Sequence, residues 1–234
     1  MASLKNICII PARGGSKRIP RKNIKHFLGK PIIAYSIEAA LKSGLFDEVI
    51  VSTDDKEIAK VALSYGASIP FYRSAKNADD FATTFDVIEE TLAELRKVGK
   101  TFQNACCLYA CAPFVSSARI QEAYEKLIAN QLDSVFPTME YSFPIQRAMT
   151  IEGDRVSLID ESHIVTRSQD LKPSYHDAGQ FYWLDISKIL KEKKLFTSNS
   201  GAIVISQMEG QDIDNVVDRK STRLLQSRGH LVCR

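Results

Sequence analysis

Residues 6–23 read NICIIPARGGSKRIPRKN, a short apolar run that passes directly into a glycine turn surrounded by cations. The two adjacent glycines allow the backbone to turn tightly and to present its N–H groups to an anion. Arg13, Lys17 and Lys22 can neutralise a triphosphate and a departing pyrophosphate. The stretch matches neither a Walker loop nor the glycine pattern of dinucleotide-binding turns. It therefore predicts a phosphate-binding loop after a first strand, and the alternative is a flexible basic surface loop.

Strand-like and helix-like patterns alternate from this loop onward. The predicted strands are 6–10, 48–52, 68–72, 104–110 and 133–137, and the predicted helices are 31–43, 55–65, 84–97 and 117–130. Repeated βα units indicate an α/β fold, in which a mostly parallel, doubly wound sheet carries helices on both faces. Ligands of such sheets bind at the carboxyl ends of the strands, which is where the glycine turn lies.

The alternation breaks between residues 139 and 175. Residues 148–151 and 156–159 flank the turn Glu-Gly-Asp-Arg and predict a hairpin. A two-stranded excursion cannot easily bury a face alone, so we expect it to pack on a second subunit of a homodimer. The pattern divides the chain into an α/β domain (1–138 and 176–218, with further strands at 180–184 and 202–206), the insertion 139–175 and a basic tail (219–234).

The charge distribution limits the partners of the chain. The formal net charge is +3, but residues 1–37 hold eight basic residues and no acidic one, and the tail holds five more basic residues and no acidic one. The rest carries 18 basic against 28 acidic residues, so it would repel a nucleic-acid backbone.

The sequence also bears on location. No apolar run is long enough to cross a bilayer, and the N-terminus lacks a signal-peptide pattern. The five cysteines fit reduced thiols in the core. We expect a cytoplasmic protein with no membrane or nucleic-acid partner.

The phosphate loop also carries a resemblance. Residues 10–23 resemble the N-terminal signature of the acylneuraminate cytidylyltransferases, which join CTP to acidic nine-carbon sugars, and the likeness extends from about residue 5 to residue 214. It implies a Rossmann-like fold of the nucleotidyltransferase type with CTP and such a sugar as substrates. It also implies that the loop holds the triphosphate and the nucleotide through residues Ala12, Arg13, Gly14, Lys17, Lys22 and Asn23.

Two further segments resemble nucleotide-site segments of that family. Residues 51–55, VSTDD, end the second predicted strand, although Thr53 or Asp54 there is favoured as the N-cap of the next helix. Residues 73–84, which hold Arg73, Thr83 and Thr84, resemble the stretch that lines the cytosine and ribose pocket. A plain helix cap is an equally good interpretation of either threonine.

The choice of sugar is indicated by two segments that differ from the sialic acid enzymes. Tyr109 replaces the glutamine that contacts the sugar there, although a half-buried aromatic side chain at a strand end explains it equally well. Residues 166–182 resemble the branch of the family that activates pseudaminic acid. Together these segments favour pseudaminic acid, with sialic and legionaminic acid as the alternatives. The implied sugar contacts are Tyr109, Arg167, Gln169, Tyr175, His176 and Asp177.

The aspartates of the stretch Gln-Asp-Ile-Asp after the last predicted strand resemble the magnesium site of the family. Two carboxylates two residues apart on an extended segment point to the same side and can hold a hard divalent cation. We therefore expect Asp212 and Asp214 to bind Mg²⁺, with Asp214 joining Arg13, Lys17 and Lys22 as a catalytic residue. The expected reaction is attack of the anomeric hydroxyl on the α-phosphate of CTP.

The likeness ends after Asp214, where the family normally continues into an amphipathic helix and this chain becomes basic and poorly periodic. A different class of function is a nucleotide- or RNA-binding module that uses the basic N-terminus. That alternative lacks the aromatic residues that interleave with cations in such modules.

Overall fold

The central sheet follows from the alternation of buried strands and amphipathic helices. A computed structural model describes residues 5–210. The helices in this part of the chain are α1 (Ile32–Ser43), α2 (Lys56–Ser64), α3 (Thr84–Lys97), α4 (Ser117–Ala129) and α5 (Ile186–Glu192). The strands are β1 (Asn6–Pro11), β2 (His26–Phe27), β3 (Lys30–Pro31), β4 (Glu48–Ser52), β5 (Asn104–Leu108), β6 (Ser134–Glu140), β7 (Met149–Glu152), β8 (Arg155–Leu158), β9 (Tyr175–Asp177), β10 (Phe181–Asp185) and β11 (Ser200–Val204).

Seven of these strands form one sheet in the order β11-β6-β10-β5-β1-β4, and β9 pairs with β6. The pairs β1–β4, β1–β5 and β6–β11 are parallel, whereas β10 runs antiparallel between β5 and β6. Strand β1 lies between β5 and β4, and its residues 6–10 are buried, because helices cover both faces of the sheet. The α/β prediction with a mostly parallel sheet is confirmed.

The predicted strand at 68–72 is wrong. Only Ser68 pairs with the sheet, through a single parallel bridge to Ile50. Its amide donates to the Val49 carbonyl and its carbonyl accepts from the Val51 amide. Pro70 then interrupts the run, because proline has no N–H to continue the hydrogen bonds of a strand. The chain leaves the sheet here and passes to the segment that holds Arg73.

The hairpin predicted at 148–159 is present. Strands β7 and β8 pair only with each other among the described residues, and nearly every residue of the two is exposed. Farther on, β9 returns to the central sheet by pairing antiparallel with the end of β6. The proposed boundaries of the insertion and its role in a dimer stay predictions.

No helix within residues 5–210 is long and apolar enough to cross a bilayer.

Candidate functional site

An open cavity of about 300 Å³ lies beyond the carboxyl ends of β1 and β5. Three distant parts of the chain form its walls: the loop after β1, the segment before α3, and the residue that follows β5. The residues that sequence analysis proposed for the site and that line the cavity are Arg13, Lys17, Lys22, Asn23, Arg73, Thr83, Thr84 and Tyr109. One cavity therefore holds the three proposed catalytic cations, most of the proposed nucleotide contacts and one proposed sugar contact.

Two cations of the loop pair with one carboxylate in this structure. Arg13 Nη1 lies 2.7 Å from Asp80 Oδ1 and also donates to the Asp79 carbonyl at 2.6 Å. The Lys17 ammonium pairs with the other oxygen of Asp80. The hydrogen bond from Lys17, and then the one from Arg13, hold the pKa of the Asp80 carboxyl below its ordinary value. The loop thus offers an anion position, which Asp80 occupies here.

Asn23 fixes the path of the loop from inside. Its side chain is buried, and its Nδ2 donates to the Arg13 carbonyl at 2.9 Å. The Cys111 thiol donates to Asn23 Oδ1 over 3.3 Å. The sequence did not indicate this contact of Cys111, and only its position two residues after Tyr109 could have suggested it.

Ala12 and Gly14 contact the scaffold beside the cavity. The Ala12 amide donates to the Ser52 carbonyl at 2.9 Å, and the Gly14 amide donates to Asp54 Oδ1 at 2.8 Å. The expectation that Thr53 or Asp54 caps the next helix is wrong, because Asp55 is the N-cap of α2. Asp54 instead reaches back to the loop.

Arg73 is a buried cation in the cavity wall. Its Nε donates to Ser52 Oγ at 3.1 Å, and its Nη2 donates to the Ser52 carbonyl. Burial lowers its pKa, while the charges of Asp54 and Glu90 oppose that shift. Arginine remains charged after such a shift, so Arg73 brings a fixed positive charge to the site.

The two threonines have different roles. Thr83 is the N-cap of α3 and forms a reciprocal capping box with Asp86. The Thr84 hydroxyl lies 3.1 Å from the Tyr109 hydroxyl. Burial raises the pKa of the Tyr109 phenol, which therefore stays protonated near neutral pH.

Tyr182 joins this wall of the cavity to Asp177. Its ring meets that of Tyr109 edge to face with centroids 5.7 Å apart, and its hydroxyl donates to Asp177 Oδ2. Asp177 Oδ1 accepts from the Gly179 amide at 2.8 Å. The carboxylate of Asp177 is therefore engaged within the protein, behind Tyr109.

The other proposed sugar residues lie outside the cavity lining. Arg167 is exposed and pairs with Asp170 at 2.8 Å, and Gln169 lines a separate open cavity of about 360 Å³ within the insertion. Tyr175 is exposed on β9. The His176 ring packs against Tyr141 with centroids 4.8 Å apart. Residues 5–210 of one chain therefore do not bring the whole proposed sugar set together.

The proposed metal ligands, Asp212 and Asp214, lie outside the described residues. Within residues 5–210, no three His, Cys, Asp or Glu side chains converge as a metal site. The last described residue, Gly210, is buried so closely against Met139 that a Cβ atom would lie 2.0 Å from its sulfur. The Glu209 carbonyl accepts from Gln180 Nε2, which anchors this end of the described chain beside the start of β10.

Solved structures of cytidylyltransferases share this fold. A CMP:2-keto-3-deoxy-manno-octonic acid synthetase complexed with CTP matches with a TM-score of 0.72 at 18% identity, covering 96% of this chain and 99% of that one. A 4-diphosphocytidyl-2C-methyl-D-erythritol synthase matches with a TM-score of 0.66 at 14% identity, covering 95% and 98%. At these identities the likeness concerns the fold alone.

Relatives with established names are closer in sequence. The pseudaminic acid cytidylyltransferase of Campylobacter jejuni is 46% identical over 228 residues, which cover 97% of this chain and 98% of that protein. The CMP-N,N'-diacetyllegionaminic acid synthase of Legionella pneumophila is 31% identical, covering 95% and 96%. A bifunctional pseudaminic acid cytidylyltransferase of Helicobacter pylori is 39% identical over 90% of this chain and 40% of its own length. The cytidylyltransferase family model matches residues 7–214, and the chain therefore belongs to the cytidylyltransferase family.

Proposed function

We propose that this protein converts CTP and pseudaminic acid to CMP-pseudaminic acid and pyrophosphate. The observation that carries the proposal is the shared cavity, which Arg13, Lys17 and Lys22 line together with Thr83 and Thr84 at the start of α3. The cations suit a triphosphate, and hydroxyl and backbone groups in the same cavity suit the edge of a base. The higher identity to pseudaminic acid enzymes than to the legionaminic acid enzyme favours this sugar.

In the proposed reaction, the anomeric hydroxyl oxygen of the sugar attacks the α-phosphorus of CTP. A new P–O bond forms, the bond from that phosphorus to the bridging oxygen breaks, and pyrophosphate leaves. Arg13, Lys17 and Lys22 stabilise the charge that develops on the leaving group, and Asn23 holds the loop that carries them. The hydroxyl proton passes to Asp212 or Asp214. No covalent enzyme intermediate is needed.

The proposal includes a magnesium site. Asp212 and Asp214 would hold Mg²⁺, which when bound supplies charge neutralisation at the triphosphate and acidifies the attacking hydroxyl. Gly210, two residues before Asp212, is held beside the start of β10 by the contacts of Glu209 with Gln180 and Arg119. The start of β10 lies beside the carboxyl end of β5, where the cavity also lies. This anchoring supports the proposal that Asp212 and Asp214 act at the same edge of the sheet as the cavity.

The insertion supports a homodimer. Its hairpin exposes Met149, Ile151, Val156 and Ile159 without a covering element within residues 5–210. Exposed apolar side chains grouped on a two-stranded hairpin are typical of a subunit contact. A cytoplasmic location, and the absence of nucleic-acid and membrane partners, stay predictions from the sequence.

Incubation of the purified protein with CTP, Mg²⁺ and one acidic sugar at a time tests the proposal. Mass spectrometry should detect CMP-pseudaminic acid and pyrophosphate, with little product from sialic, legionaminic or 3-deoxy-octulosonic acid. Turnover with sialic acid alone would overturn the substrate, and tight RNA binding at physiological salt without any use of CTP would overturn the reaction class.

A further inference from the structure

Arg21 holds the phosphate loop to the start of α2 from outside the cavity. Its Nη1 lies 2.5 Å from Asp55 Oδ2 and its Nη2 lies 3.0 Å from Asp55 Oδ1, so the guanidinium grips both oxygens. Nη2 also pairs with Glu57. Neither Arg21 nor Asp55 is among the residues that line the cavity.

The backbone of Arg21 is in a conformation that needs support. It has φ 57° and ψ 32°, which lie in the left-handed region that residues other than glycine rarely adopt. The residue is the N-cap of a short 3₁₀ turn, Lys22–Ile24, and it has no side-chain cap hydrogen bond. Lys22 and Asn23, the first two residues of that turn, both line the cavity. The conformation at Arg21 therefore sets the direction in which these two residues enter the site.

Asp55 is itself fixed by the helix that it starts. Its Oδ1 accepts from the Glu57 and Ile58 amides, both at 2.9 Å. The loop approaches this side chain closely, because a Cβ atom at Gly14 would lie 2.9 Å from Asp55 Oδ2. The neighbouring Asp54 accepts from the Gly14 amide. Two successive aspartates thus secure the loop at Gly14 and at Arg21.

We propose that Arg21 and Asp55 are positioning residues, whose ion pair holds Lys22 and Asn23 in the geometry that grips the triphosphate of CTP. The inference rests on the proposed function, since it assigns the cavity to CTP. A planar arginine fork on a carboxylate fixes orientation as well as distance, which a lysine cannot do. The pair acts through the loop, and it touches no reacting atom.

Asp55→Asn separates positioning from simple electrostatics. Asparagine is as good an N-cap as aspartate, so α2 keeps its start. If Asp55 affects CTP only through its negative charge, removal of that charge should tighten the binding of the triphosphate. If the ion pair positions Lys22 and Asn23, loss of the pair should instead weaken CTP binding. Misplacement of a catalytic group can lower a rate by up to about a hundredfold.

The experiment measures KM for CTP, KM for the sugar and kcat, together with equilibrium binding of CTP alone and the melting temperature. We expect Asp55→Asn and Arg21→Gln each to raise KM for CTP about tenfold, an effect within the range that misplacement produces, with KM for the sugar unchanged. The double variant should be no worse than the poorer single variant, because both remove the same contact. Arg21→Lys keeps the charge and should recover only part of the loss.

Lys100→Gln is the matched control, because it also removes a cation from an ion pair between distant segments. Lys100 pairs with Glu48, which begins β4, whereas Asp55 follows the end of that strand. It should match the wild type. An unchanged or lower KM for CTP in Asp55→Asn, or full recovery by Arg21→Lys, would overturn the positioning role. A wild-type protein that neither binds nor turns over CTP would instead defeat the proposed function, so the two failures are distinct.

Discussion

Arg13 Nη1 lies 2.7 Å from the carboxylate of Asp80, and Lys17 pairs with the same side chain. A carboxylate from the segment before α3 thus occupies the position that the loop after β1 offers to an anion. The contact is solvent-accessible, and the two partners are 67 residues apart in the chain. Under the proposed function, the triphosphate of CTP would replace Asp80 at these two cations.

Asp80→Asn should therefore strengthen CTP binding. An exposed ion pair is weak, so the expected decrease in Kd is about two- to fivefold, and it should shrink as salt is added. Equilibrium titration with CTP at low and high salt measures it. Glu94→Gln, which removes an exposed carboxylate from a pair with Lys97, is the control and should have no effect. Weaker CTP binding by Asp80→Asn would mean that Asp80 organises the site.

Arg13→Gln should lower kcat by about a hundredfold to a thousandfold, because it removes a preorganised group that stabilises the developing charge. The melting temperature should change little, since the side chain lines the cavity and is partly exposed. Arg96→Gln, an exposed arginine near the end of α3, serves as a charge-matched control. A kcat for Arg13→Gln within about threefold of the wild type would exclude this role, since preorganised charge stabilisation is worth far more.

Periodicity and glycine placement were enough to predict most of the fold. The helix predicted at 84–97 has those bounds in the structure, and the strand after it begins at the predicted Asn104. The strand expected at 68–72 failed because apolar residues alone do not show that Pro70 ends the pairing after one bridge. The antiparallel direction of β10 also could not be predicted locally, because strand direction is decided by how the preceding insertion returns the chain.

The candidate site was partly predictable. A run such as residues 11–23 carries its chemistry within one segment, so Arg13, Lys17 and Lys22 could be named from sequence. Contacts between distant segments could not be predicted from the sequence. The pairing of Arg21 with Asp55 and the contact of Tyr182 with Asp177 depend on packing between distant segments, and neither leaves a local pattern.

Tyr109→Gln should reduce the preference for pseudaminic over sialic acid by about tenfold, which is within the range that pocket contacts provide. The change removes the hydroxyl that faces Thr84 and the ring that packs on Tyr182. The kcat/KM for each sugar, measured separately, gives the ratio. Tyr109→Phe keeps the ring and should retain more of the preference. An unchanged ratio in a folded Tyr109→Gln variant would leave the residue a purely structural role.

Glu209 should stabilise the fold above its unfolded pKa and lose that effect in acid. Arg119 lowers the pKa of Glu209 from its ordinary value of 4.5 to about 2. A depressed carboxyl pKa contributes stability that is complete above about pH 4.5 and disappears as the pH falls through about 2. Because the pair is partly exposed, Glu209→Gln should cost on the order of 1 kcal/mol at pH 7.

Urea unfolding of the wild type and Glu209→Gln across this pH range measures the difference. The gap in the free energy of unfolding should close between pH 4.5 and pH 2. A gap that is independent of pH would show that the side chain acts through packing instead.

Ile151→Asp should dissociate the proposed homodimer. Ile151 is exposed on β7 within one chain, so a charge there should cost little in the monomer but much in a buried contact. Sedimentation velocity at several concentrations should show a dimer for the wild type and a monomer for the variant. Asp154→Ala in the turn between β7 and β8 is the control. A wild-type monomer at every concentration would contradict the dimer.

The most direct test of the substrate assignment is a competition assay with CTP, Mg²⁺ and equal amounts of pseudaminic and sialic acid in one tube. The initial ratio of the two CMP-sugars, read by mass spectrometry, equals the ratio of their kcat/KM values. We expect CMP-pseudaminic acid to form in large excess from the first time point. Equal yields, or an excess of CMP-sialic acid, would contradict it.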